Sequence, residues 1–204
     1  MQNNIDYEAL KSLLKERLNE KRYFHSLCVA DEAKRLSEKY GCDREKAYLA
    51  GLLHDITKNA NDEEQLQIFS DFDIILNDIE KNSKKLWHAI SGALYVEHIL
   101  KITDRDIIDA IRYHTTAKAN MSLLAKILYI ADFTSADRDY DDVEVIREIA
   151  EKSLDFALIY ALKYSVCDLV NQNRAVHLDT VCAYNQIISS KQFQGEKLWN
   201  PKKF

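Results

Sequence analysis

DREKAYLAGLLHDITK, residues 43–58, reads as an amphipathic helix with a histidine and an aspartate side by side at the end of its apolar run. Asp43 suits the N-cap, since a short carboxylate accepts from the unpaired amides of a first helical turn. Upstream, Leu27, Ala30 and Leu36 predict a helix from about Phe24 to Tyr40, and Gly41 supplies its C-terminal stop. Tyr7, Leu10, Leu14 and Leu18 form one more helical stripe near the N-terminus. Downstream, Asn61 with Glu64 resembles a capping box. A further segment runs from about Ser83 to Leu100, and Thr103 and Asp106 open the next helix. Residues 121–135, MSLLAKILYIADFTS, are strongly apolar and helical. Asp141 and Glu144 give another capping-box pattern. A long helix follows from about Leu154 to Asn171, and a last one starts at Asp179 or Thr180 and ends at Ile188.

The fold class is therefore all-α. Only 4 glycines and 1 proline interrupt the 204 residues, too few for the turns that sheets require. The pattern reads as one helical bundle over residues 1–188 with its functional site between helices, followed by a tail, 189–204, that holds Trp199 and Phe204.

Composition removes several function classes. A net charge of -5 gives no bulk electrostatic case for nucleic-acid binding, so any polyanion must be held by local cations or bound metal. No apolar stretch approaches the roughly 18 residues of a membrane span, and the N-terminus lacks an apolar signal core. Cys28, Cys42, Cys167 and Cys182 are far apart and form no CxxC pair, which fits free thiols in a reducing cytosol. A cytoplasmic location is expected.

Three motifs carry chemistry. His54 and Asp55 follow an apolar Leu-Leu, His114 ends an amphipathic helix in IRYHTT, and Asp132 lies inside the apolar helix of YIADF. A carboxylate in such a run must find a partner, because an unpaired buried charge is very costly. A bound metal is one such partner and a salt bridge to arginine the commoner one. Taken singly, His25 and His88 read as packed core histidines. Adjacent helical residues point about 100° apart, so His54 and Asp55 can reach one point in a groove between helices. Imidazole with carboxylate suits Fe, Mn, Zn or similar divalent ions, and His25 and Asp132 are the best further ligands.

The order His, His-Asp, His, His, Asp resembles the HD superfamily of metal-dependent phosphohydrolases, and more narrowly the bacterial symmetrical bis(5′-nucleosyl)-tetraphosphatases. The resemblance is carried by RYFHSLCVADEAKRLSEKYGCDREKAYLAGLLHDITK, HAISGALYVEHIL, AIRYHTTAKANMSLLAKILYIADFTSADRDY and NRAVHLDTVCAYN, spanning Arg22 to Asn185. The chain departs from that family's usual pattern in three places. Ala117 stands where HTTG is usual, and Ala89 follows His88 where a glycine is frequent. Thr134, Ser135, Ala136 and Asp137 stand where an acidic residue and Pro-Gly usually precede Arg138.

The resemblance implies that diadenosine tetraphosphate and water give two ADP by attack of metal-bound hydroxide. It implies His25, His54, Asp55 and Asp132 as ligands of a divalent metal, one or two ions, with iron first and manganese or others as alternatives. His88 and His114 then complete a second metal site or contact phosphate, and Asp55 is the natural bridging carboxylate. Asp55, Lys58, His88 and His114 are the expected catalytic set. Substrate contacts are expected from these ligands, from Ile56, Thr57, Thr115 and Arg138, and from Ala175, Val176, His177, Leu178, Asp179 and Thr180. His98 matches no motif position and reads as structural. The partner is a small nucleotide, with no nucleic acid and no membrane; a homodimer is left open. The alternatives are another HD nucleotide phosphohydrolase (a 5′-nucleotidase or (p)ppGpp hydrolase) or a catalytically silent nucleotide sensor.

Overall fold

In a computed structural model of the chain, residues 5–190 and 193 are described, and they hold eleven α-helices and no strand. The helices are α1 (Tyr7–Arg17), α2 (Glu20–Tyr40), α3 (Arg44–Leu53), α4 (Asp62–Asp71), α5 (Asp78–Asn82), α6 (Trp87–Leu94), α7 (Arg105–Tyr113), α8 (Leu123–Thr134), α9 (Val143–Lys152), α10 (Leu154–Asn171) and α11 (Leu178–Ile188). A 3-10 turn, Lys84–Leu86, leads into α6 and a π-helical turn, Tyr95–Ile99, leaves it. No described helix is long and apolar enough to cross a membrane. The four cysteines are free, with Cys167 and Cys182 exposed. Of the tail, Phe193 is buried with its ring centroid 4.9 Å from that of Phe156, whereas Trp199 and Phe204 lie outside the described residues.

The main core is aliphatic and is shared by α2, α3, α7, α8 and α10. A smaller core of Phe69, Leu76, Trp87 and Ile90 sits under α4 and α6. α2 packs against α3 more than any other pair of helices meets, and α8 lies against both. The α2–α3 approach depends on Gly51. A Cβ there would stand 2.6 Å from Ala30 Cα and 2.9 Å from Val29 O, so the two backbones touch directly. Alanine in a helix interior is favoured over glycine by about 1 kcal/mol. Overpacking a tight interior costs about 1–3 kcal/mol, and here the obstructing atoms are main chain and cannot rotate aside. Because the obstructing atoms are rigid, the upper end of that cost applies, and Gly51→Ala is expected to destabilise the protein by up to about 2 kcal/mol net, a fall in Tm of up to roughly 5 °C for a chain of this size. Thermal melting of the metal-free protein checks it; an unchanged or raised Tm would mean that the helices part freely.

Several helix ends differ from the sequence expectation, each for a local reason. The helix begun at Asp43 stops at Leu53 rather than continuing through Lys58. HDITKN forms consecutive tight turns instead, with Ile56 N donating to Leu53 O at 3.1 Å, Lys58 N to Asp55 O at 2.8 Å and Ala60 N to Thr57 O at 3.0 Å. α7 is capped by Asp104, which lies between the expected Thr103 and Asp106. The Asp141–Glu144 box does not form; Asp142 precedes α9 in the left-handed region at φ 69° with no side-chain cap bond. α11 begins at Leu178 because His177 is its cap, the ring Nδ1 accepting from Asp179 N at 3.2 Å.

Candidate metal centre

Five helices deliver six side chains to one place. His25 projects from the buried face of α2, His54 and Asp55 follow the end of α3, His88 lies in the first turn of α6, His114 follows the end of α7, and Asp132 lies near the end of α8. All but Asp132 are nearly inaccessible to solvent, and Asp132 keeps 19% of its side chain exposed. Three overlapping groups have ligand atoms within 4.8 Å of one another: His25, His54 and Asp55; His54, His114 and Asp132; and Asp55, His88 and His114.

Asp55 divides its two oxygens between opposite sides of this cluster. Oδ2 lies 3.6 Å from His54 Nε2 and 3.1 Å from Arg22 Nη1. Oδ1 lies 3.1 Å from His88 Nε2, 3.7 Å from His114 Nε2 and 3.9 Å from Lys58 Nζ. At the other end, Asp132 Oδ1 is 3.0 Å from His25 Nε2 and also pairs with Arg138 Nη2, while Arg138 Nε donates to the Asp132 carbonyl at 2.7 Å.

The ring orientations follow from where the helices end. A helix leaves its last four carbonyls without amide partners. His54 Nδ1 donates to Gly51 O and His114 Nδ1 to Ile111 O, both at 2.7 Å, so each ring closes the end of its own helix. Nε2 of both rings is thereby turned inward. His54 Nε2 is buried with no hydrogen-bond partner, an arrangement rare for a polar atom and suited to a cation. The donor set fits a divalent ion on this ground and on its mixed imidazole and carboxylate chemistry.

The electrostatics favour ligands in their binding forms. Burial pushes the Asp55 carboxyl up, but His54, His114 and His88 outweigh it and hold the group well below the usual carboxylate range. Burial likewise raises Asp132, and the hydrogen bond from His25 with the charge of Arg138 pulls it well below. His54 and His88 are each pushed down to about 4, chiefly by burial, so they stay neutral at neutral pH. Burial lowers Lys58, whose Nζ is 3.1 Å from His88 Nε2.

The other expected residues take varied positions. Ile56 is packed in the core. The Thr57 hydroxyl donates to His88 O at 2.9 Å, which ties the turn after Asp55 to α6. Thr115 Oγ1 is buried with no partner and is a free donor beside His114. Thr180 joins the same loop by donating to Thr116 O at 2.7 Å. His177 faces α5 instead, with Nε2 3.2 Å from Asn77 Nδ2 and 3.6 Å from Glu80 Oε1; Ala175 and Leu178 are exposed. Val176 and Asp179 are half-buried, and Asp179 Oδ2 lies 3.5 Å from His177 Nδ1. His98 stands apart, stacked on Phe72 with ring centroids 4.2 Å apart. Ala117 adopts φ 56° while fully buried, a left-handed backbone that costs a non-glycine residue about 1–2 kcal/mol.

Two residues in contact with the cluster escaped the sequence reading. Arg22 lies one turn before His25 on α2 and reaches Asp55. Asp137 Oδ2 lies 2.8 Å from His25 Nδ1. The signal for Arg22 was its spacing of three from His25, which places both on one helix face.

The family described as HD domain matches residues 22–137. The chain is 37% identical over 185 residues to a protein of Bacillus subtilis (strain 168) named bis(5′-nucleosyl)-tetraphosphatase, symmetrical, covering 91% of this chain and 99% of that protein. A protein of the same name from Halalkalibacterium halodurans is 36% identical over 176 residues, covering 86% and 94%. Among solved structures, a predicted HD superfamily hydrolase involved in NAD metabolism from Clostridium acetobutylicum is similar with a TM-score of 0.88 at 35% identity, covering 92% of this chain and 99% of that one.

Proposed function

Because the chain belongs to the HD domain family, we propose that it is a symmetrical bis(5′-nucleosyl)-tetraphosphatase that hydrolyses diadenosine tetraphosphate to two ADP. The observation that carries this reading is Asp55, whose two oxygens face His54 on one side and His88 with His114 on the other. A carboxylate placed in this way can serve one cation or be shared by two. His25, His54, Asp55 and Asp132 would hold the first divalent ion, and His88 and His114 would complete a second position or meet phosphate. A divalent ion held there supplies Lewis acidity to phosphoryl oxygens and acidifies water. Iron is proposed as the native metal, with manganese as the substitute.

The protein's own groups solve the charge problem posed by a net -5 chain and a polyphosphate substrate. Arg22, Lys58 and Arg138 contact the carboxylates of the cluster from its rim, each with roughly a third or less of its side chain exposed. They can turn to phosphate oxygens, Arg138 and Arg22 through paired N–H donors and Lys58 as a point charge. Thr115 offers its unpartnered hydroxyl to a phosphate oxygen. Lys58 Nζ, close to both nitrogens of the His88 ring at 3.3 and 3.1 Å, can hold a proton for the departing ADP oxygen. Residues 175–180, His177 among them, are proposed to border the nucleotide. The catalytic unit is taken as residues 1–188, working in the cytoplasm on a small nucleotide.

The test is product identity. Purified protein given Fe(II) or Mn(II) and diadenosine tetraphosphate is expected to release ADP alone, two per substrate consumed. ATP with AMP would exclude symmetrical cleavage. Release of inorganic phosphate from mononucleotides, with the tetraphosphate untouched, would favour a nucleotidase.

A further inference from the structure

The geometry points to Asp137 as the positioning residue that aims His25 into the metal centre, through a loop clamped by Arg147; this rests on the reading of that centre given above. His54 and His114 need no such help, because each follows a helix end and finds a spare carbonyl for Nδ1. His25 has no such resource. It sits inside α2, Glu20–Tyr40, where the carbonyls one turn back are taken by helical amides. Its Nδ1 must donate to a side chain, and Asp137 Oδ2 is there at 2.8 Å.

Asp137 is itself held. Its Oδ1 accepts from the Ser135 hydroxyl at 2.7 Å, and Ser135 is fully buried. The loop that carries both residues is fixed from α9: Arg147 Nε donates to Thr134 O at 3.0 Å, and Nη2 donates to Ser135 O at 2.7 Å and to Arg138 O at 3.2 Å. Three carbonyls on one guanidinium leave residues 134–138 little freedom. The chain of contacts runs from Arg147 through the loop to Asp137, then through the His25 ring to Nε2, which faces Asp132 Oδ1 at 3.0 Å. A carboxylate on the far nitrogen also makes an imidazole a better donor to a cation, and losing such a partner costs ~10–100-fold in metal affinity.

Asp139, two residues on and exposed, is the control. Mn(II) is titrated into metal-stripped wild type, Asp137→Ala, Asp137→Asn and Asp139→Ala, followed by electron paramagnetic resonance of free ion, with a thermal melt of each metal-free protein. Asp137→Ala is expected to bind Mn(II) ~10–100-fold more weakly with a metal-free melt close to wild type. Asp137→Asn keeps an acceptor oxygen without the charge and should fall between, and Asp139→Ala should match wild type. Equal affinity in Asp137→Ala and wild type would overturn the proposal alone. So would a loss of affinity shared by Asp139→Ala or matched by a lowered metal-free melt. Wild type that takes up no ion would overturn it together with the metal centre on which it rests.

Discussion

Asp55→Ala is expected to abolish divalent-ion binding and to lower turnover of diadenosine tetraphosphate by about 10³-fold or more. A divalent ion held as proposed would supply several kcal/mol of charge stabilisation, and each ~1.4 kcal/mol is a factor of ten in rate. Asp55 belongs to two of the three candidate ligand groups, so its loss damages both sides of the cluster. It also leaves Arg22 and Lys58 without the carboxylate that each contacts. Breaking a buried charge pair costs about 3–5 kcal/mol, so the variant should melt lower as well. Asp55→Asn keeps the shape and separates the two effects. Metal content by mass spectrometry, read beside turnover and a thermal melt, checks the result; an Asp55→Asn protein that retains full metal and activity would remove Asp55 from the centre.

Asp132→Ala should lower metal content and turnover together, by about 10²–10³ in rate, with a smaller cost to the fold. Its side chain is 19% exposed, so water can replace part of what is lost. Arg138 keeps its bond to the backbone carbonyl of residue 132 and stays near its place. The measurement is again metal per protein alongside product release. Full metal occupancy in Asp132→Ala would show that this carboxylate serves only as the ion-pair partner of Arg138 and His25.

Part of the candidate ligand set is legible because it breaks a pattern, whereas His25 and His88 stand out only through the ordered motif to which they belong. His54, Asp55 and Asp132 are polar residues set in apolar runs, and a run of that kind tolerates such a group only where a partner waits. Arg22 and Asp137 break nothing. One is a basic residue on a partly exposed helical face, and the other is an acid in a polar loop, where charge is ordinary. Arg138 reads from the sequence as a phosphate contact; the partner the structure gives it is Asp132, brought round by the end of α8. The end of α3 departs from its periodicity for a related reason. Periodicity continues through Lys58, but the His54 ring bonds back to Gly51 O, and the chain leaves the helix in turns. Nor does a cap made by an imidazole, as at His177, belong to the usual repertoire of Ser, Thr, Asp and Asn. Ala117 stood out only as a departure from HTTG, and its left-handed backbone gives that departure a physical meaning.

Gly51 has a second effect besides letting α2 and α3 touch. The glycine sits three residues before His54 and against Ala30, five residues after His25, so one main-chain contact sets the gauge between the two rings, whose centroids are 5.3 Å apart. Side chains can repack, but two backbones in contact can come no nearer. That half of the cluster is therefore a rigid jaw. If the cluster holds a cation as proposed, adjustment to ions of different radius would fall to the opposite half, where His88 rides on a short helix.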